Sequence, residues 1–129
     1  MKRLTLAVLT VLPLAVACGG SDTTPLFGTK WTVTSPSAGK QAYLTFDQKT
    51  GRVGGRLGCN AVDATATVRA GHITLGRPST TRMMCDASLM GTERSLLALF
   101  GGQVGYRVDH DTLTLTSGNG RIVHAVADK

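Results

Sequence analysis

The feature that most constrains this chain is a two-residue alternation of apolar and polar side chains, repeated in short runs and broken by glycine-rich turns. Trp31-Thr32-Val33-Thr34 alternates, and Ala42-Tyr43-Leu44-Thr45-Phe46 does so with some blurring. Val104 to Val108, Thr112 to Thr116 and Ile122 to Val126 repeat the pattern. Successive side chains of a strand point to opposite faces, so this period predicts half-buried antiparallel strands. The breaks carry turn chemistry: Ser35-Pro36-Ser37-Ala38-Gly39, Asp47-Gln48-Lys49-Thr50-Gly51, Asp109-His110-Asp111 and Ser117-Gly118-Asn119-Gly120. Ala64–Arg69 and His72–Leu75 predict a hairpin turning at Ala70-Gly71. Val53-Gly54-Gly55 predicts a short strand running into Gly58-Cys59-Asn60, where glycine permits a bulge or a close backbone approach.

One segment departs from that period. Leu89, Glu93, Leu96, Leu97 and Phe100 recur at spacings of three and four, predicting a helix of about three turns. Asp86 or Ser88 can cap its start, and Gly101-Gly102 ends it. The expectation is an α+β domain: a compact, strongly curved antiparallel sheet of about eight strands packed on one α-helix. Trp31, Phe46, Tyr106 and the helix leucines would fill the space between them. A length of 129 residues allows one domain and excludes a TIM barrel of about 250 residues.

The N-terminus reads as an address. Met1-Lys2-Arg3 is a positive start, and Leu4 to Ala17 is apolar apart from two threonines and interrupted by Pro13. That stretch is short of the roughly 20 residues of a spanning helix and fits a signal peptide over residues 1–17. Ala15-Val16-Ala17-Cys18 resembles the bacterial lipobox, with Ala where Leu is favoured. Cys18 is therefore read as the lipidated N-terminus of the mature chain, and residues 18–25 as a flexible tether. The alternative is an ordinary secretory cut after Ala17. With Cys18 acylated, Cys59 and Cys85 remain as a pair in an oxidising compartment, where bridging is expected. The rival for that pair is a metal site, for which two cysteines without a CxxC or a nearby pair of histidines make a poor signature. His72, His110 and His124 are dispersed.

A formal charge of +6 falls by two once Lys2 and Arg3 are cleaved. The remaining basic residues never run together, which argues against a nucleic-acid partner. The motifs of serine hydrolases, P-loop enzymes, zinc proteases and calcium loops are not found, and Gly51 to Gly58 lacks phosphate-cradle spacing. The expectation is no catalytic residue, cofactor or metal, and a monomer.

The motifs taken in order resemble the META domain family over about residues 26–127, and the expected domain is residues 26–129. Leu26-x-Gly28-Thr29-Lys30-Trp31-x-Val33 is similar to its opening strand, and Gly55-x-x-Gly58-Cys59-Asn60 to its glycine-rich signature. Thr81-Arg82-Met83-Met84-Cys85 is especially close to the HslJ-type heat-shock lipoproteins, and Glu93, Leu96, Leu97 and Leu99 continue the pattern. Trp31, Gly58, Asn60, Thr81, Met83 and Glu93 are the motif residues carried over. After Asn60 the family's aromatic residues are replaced by Ala61-Val62-Asp63-Ala64. The resemblance implies a bacterial cell-envelope location, in the cell membrane or the outer membrane, and a link to heat or antibiotic stress.

Two readings of the motif remain: a structural clasp, in which a bridge from Cys59 to Cys85 pins the helix start to the sheet, or a binding site. The functional expectation is a non-catalytic, lipid-anchored envelope domain that binds an envelope protein or wall component, or stabilises the envelope under stress. The alternative is an inhibitor of an exported protease or lysozyme-like hydrolase, with Arg77-Pro78-Ser79-Thr80-Thr81-Arg82 as the candidate insertion loop.

Overall fold

The computed structural model describes residues 23–36 and 42–128. The expected signal segment and Cys18 lie outside the described residues. Among the described residues, nine strands and one helix follow in the order β1 (Lys30–Ser35), β2 (Tyr43–Asp47), β3 (Arg52–Arg56), β4 (Ala61–Arg69), β5 (His72–Leu75), β6 (Ser79–Thr80), α1 (Ala87–Leu97), β7 (Gly102–Asp109), β8 (Thr112–Ser117) and β9 (Ile122–Ala127). All strand pairings are antiparallel. The expected curved sheet with one helix is what forms, and the curvature goes all the way to closure. β9 returns to pair with β1, Val33 lying opposite Ala125, and β3 pairs with β4, Val53 lying opposite Ala64. Eight strands thereby make a ring, and the two-residue β6 adds to the side of β4 beyond β5. Closure removes the exposed sheet edges that invite aggregation.

The alternation read from sequence is the inside-outside pattern of this barrel. Trp31, Val33, Leu44, Phe46, Val53, Ile73, Leu75, Leu113, Leu115 and Val123 are buried in one core, with Ala64, Ala66 and Ala125 as the small partners. A barrel of about eight strands leaves just the interior that side chains can fill. Tyr106, expected in the core, packs at its margin. Leu96 of α1 and Leu99 in the turn after it complete the core, whereas Leu97 and Phe100 are only partly covered.

The strand expected to run into Gly58-Cys59-Asn60 stops at Arg56. Gly58 has φ 115°, outside strand geometry and in the region that favours glycine, so the chain turns there at the barrel rim. β6 carries no period of its own. It is the edge of β4, opposite Val62 and Asp63, that makes it a strand.

The helix starts at Asp86, not Ser88. Asp86 is the N-cap, and its carboxylate accepts from the Leu89 N–H at 3.0 Å and the Ser88 hydroxyl at 2.7 Å. Those bonds hold the Asp86 pKa below the ordinary carboxylate value. A lowered native pKa adds stability above the unfolded value, and that stability is lost as pH falls through the lowered one. The stability of the protein should therefore decline below about pH 4. Asp86→Asn keeps a neutral capping oxygen and should flatten part of that decline in urea titrations at successive pH. An acid limb unchanged by this variant would contradict the assignment. Asp63, lowered by its bond to Arg52, contributes to the same limb.

The first and last described segments meet at one end of the barrel. Thr24 N–H donates to the His110 carbonyl at 2.9 Å, Phe27 pairs with Phe46 in a single bridge, and Asp128 N–H donates to the Lys30 carbonyl at 2.8 Å. Thr24, within the expected tether, is already fastened to the fold. The turns after β2 and β7 share this end, and the Gly58–Asn60 loop and the start of α1 occupy the other.

Candidate functional site

The residues singled out from sequence converge at the end away from the termini. Gly58 brings the rim loop against α1: a Cβ there would sit 3.0 Å from the Leu89 carbonyl oxygen and 3.6 Å from the Thr92 Cβ. Only a bare backbone fits that approach at positive φ. Next to it, Cys59 and Cys85 form a disulfide with a Cα–Cα distance of 5.9 Å. The bridge lands one residue before the helix cap, so it joins the start of α1 to the rim of β3 and β4.

Asn60 is 3% exposed and uses every polar group it has. Its Nδ2 donates to Glu93 Oε2 at 2.9 Å and to the Met83 carbonyl at 3.2 Å. Its Oδ1 accepts from the Met83 N–H at 2.6 Å and the Thr81 hydroxyl at 3.0 Å. Its backbone N–H donates to Glu93 Oε1 at 2.7 Å, and its carbonyl accepts from the Leu57 N–H at 2.9 Å. Thr81 Oγ1 in turn accepts from the Ala61 N–H at 3.0 Å. The Asn60 side-chain amide thus binds Met83 as a neighbouring strand would, through one N–H and one carbonyl.

Glu93 reaches in from α1 and is 5% exposed. A buried carboxylate needs donors for both oxygens, and Asn60 supplies one to each. No buried side-chain nitrogen or oxygen among the described residues lacks a partner. Glu93→Ala removes both charge-assisted bonds and leaves the Asn60 N–H buried without an acceptor, an expected loss of about 3 kcal/mol. Urea unfolding checks this, and a loss under about 1 kcal/mol would mean that the pair is replaced by water.

Five of the six motif residues therefore meet in one joint with both inner cysteines. Trp31 does not: it lies in the barrel core, its Nε1–H donating to the Leu26 carbonyl at 3.0 Å. Met83 takes part through its backbone, while its side chain points to solvent. The sequence reading did not anticipate Arg56, whose guanidinium donates to the Cys59 carbonyl at 3.4 Å, or the buried Leu57. Neither has a periodic signal, because Arg56 is the last residue of β3 and Leu57 lies just beyond it on the rim. Within Arg77–Arg82, Ser79 and Thr80 pair with β4, and Thr81 is held by Asn60. His72 and His124 lie exposed on β5 and β9, and His110 in the β7–β8 turn, which keeps the three apart. A shallow depression of about 400 Å³ at the end with the termini is lined by Phe27, Gly28, Phe46 and Lys49, far from the joint.

Chemically, the joint is a set of fastenings. Its sulfurs are bonded to each other, and both oxygens of its one carboxylate are engaged by N–H groups. Fold and joint together define a class: a small closed antiparallel barrel with the helix α1 fastened to its rim by a disulfide and a buried Asn–Glu pair. The META domain family's model matches residues 24–129, and the chain belongs to that family. Two solved structures share the fold. An NMR structure of a protein from Burkholderia xenovorans superposes with a TM-score of 0.63 at 22% identity, covering 81% of this chain and 84% of that one. A second protein NMR structure gives 0.62 at 16% identity, over 78% of this chain and 91% of the other. No curated protein matches the sequence.

Proposed function

We propose that the mature protein is a lipid-anchored cell-envelope domain that works by binding, without catalysis, in tolerance of heat or antibiotic stress. The observation that carries this reading is the fate of the motif residues. Thr81, Asn60, Glu93 and the two cysteines are the groups to which chemistry would fall, and they are spent on one another. The barrel interior is filled by its own side chains, so its product is a rigid outer surface. Export accounts for the disulfide, and the lipobox-like Ala15-Val16-Ala17-Cys18 accounts for the leftover thiol.

Two measurements test it. Cys18→Ala is expected to move the protein from the detergent phase to the aqueous phase of a cloud-point separation, or to leave it uncleaved. Unchanged partitioning would overturn the anchor. Immobilised mature protein should retain a saturable component from envelope extract, and recovery of nothing above background would overturn the binding role.

A further inference from the structure

Met83 and Met84 form an exposed tip that the joint supports but does not use. Their side chains are 48% and 89% exposed, and Met84 is the most exposed large apolar residue among those described. The backbone beneath them is held on both sides. Thr81 is tied to Asn60 and Ala61, both backbone groups of Met83 are bound to Asn60, and Cys85 is bridged to Cys59. Because the backbone that carries the tip is already fixed, a partner that covers it adds no loop-ordering cost. Methionine also adapts its shape to what it meets.

The charge around the tip is mostly positive, with Asp86 as the exposed carboxylate beside it. Arg82 adjoins it, and Arg56 sits on the Cys59 carbonyl beneath it. The ion pairs among the described residues are Lys30–Asp128, Arg52–Asp63 and His110–Asp109, none involving these two arginines. At this end Asp86 is engaged as the helix cap and Glu93 is buried. Asp47, Asp109 and Asp128 lie at the opposite end, with the termini.

We propose that the Arg82-Met83-Met84 tip docks a protein that presents an apolar pocket edged by carboxylates. Arginine beside an apolar anchor is the composition of interface centres. The complement of two unpaired guanidiniums is a pair of carboxylates. A protein is favoured over a lipid surface because the described chain enters the fold at Thr24, at the end of the barrel away from the tip. This deepens the binding role proposed above and rests on it.

The test is site-specific photo-crosslinking in the cells that make the protein, with a benzophenone amino acid in place of Met84 and, as control, in place of Thr67 on the β4 wall. The Met84 position should give one discrete protein adduct whose contact peptide carries Asp or Glu beside apolar residues, and the Thr67 position should not. Adding Arg56→Glu with Arg82→Glu should cut the adduct by at least about tenfold, as charge reversal does across an interface. Arg82→Lys should retain most of it. Intact mass and circular dichroism confirm that each variant keeps its disulfide and fold. A phospholipid adduct, an adduct indifferent to charge reversal, or none above the Thr67 level overturns the proposal. Failure of the anchor shows separately: a chain that leaves the detergent phase but still yields the Met84 adduct loses only its membrane attachment.

Discussion

Trp31→Ala is expected to lower stability by about 4 kcal/mol, the middle of the range for emptying a large aromatic site. Trp31 is fully buried among the barrel strands, so its removal opens a cavity that a closed ring of strands cannot collapse to fill. It also frees the Leu26 carbonyl, to which the indole N–H donates, and so loosens the segment that leads into β1. Trp31→Phe should recover most of the packing and leave a deficit of about 1 kcal/mol for the missing hydrogen bond. Because Trp31 is the one tryptophan in the chain, urea transitions should be followed by circular dichroism and not by indole fluorescence. A midpoint shift worth less than about 2 kcal/mol would show a barrel that repacks, contrary to the solid core described above.

Removing the disulfide, by Cys59→Ala with Cys85→Ala or by a reductant, should cost about 3.5 kcal/mol by loop entropy, for a closed loop spanning a sequence separation of 26. The reduced protein should nevertheless keep its native spectrum in water, since the Asn60–Glu93 pair still holds α1 to the rim. Breaking both fastenings is the informative experiment. Cys59→Ala and Cys85→Ala combined with Glu93→Ala should lose helix signal before strand signal, and the combined loss should depart from the sum of the separate ones, because both act at one joint. Strict additivity and a single concerted transition would show two independent fastenings.

Much of the barrel is legible in the chain because it is local. Trp31-Thr32-Val33-Thr34 faces in and out as its alternation requires, and the Ala70-Gly71 hairpin follows from turn chemistry between two periodic runs. The helix is announced by its change of period and by Asp86 ahead of it. Where local signals conflict, the reading slips. Val53-Gly54-Gly55 predicts a strand through Asn60, yet the left-handed Gly58 ends it, and glycine's freedom allows either outcome until a neighbour decides. That neighbour is α1, whose Leu89 carbonyl lies against Gly58.

By itself, then, the order of residues determined which segments extend, which one coils, and which side of each faces the core, since those depend on side chains two to four positions apart. It also brought Gly58, Asn60, Thr81, Met83 and Glu93 to notice without saying what they do. Only the tertiary structure decided that the sheet closes on itself, that two-residue β6 is a strand at all, and that Asn60 grips both Met83 and a carboxylate 33 residues along the chain. Those outcomes are set by pairings between distant segments. A buried amide acquires its partners only when the rest of the core has brought them within reach, and no local pattern records that.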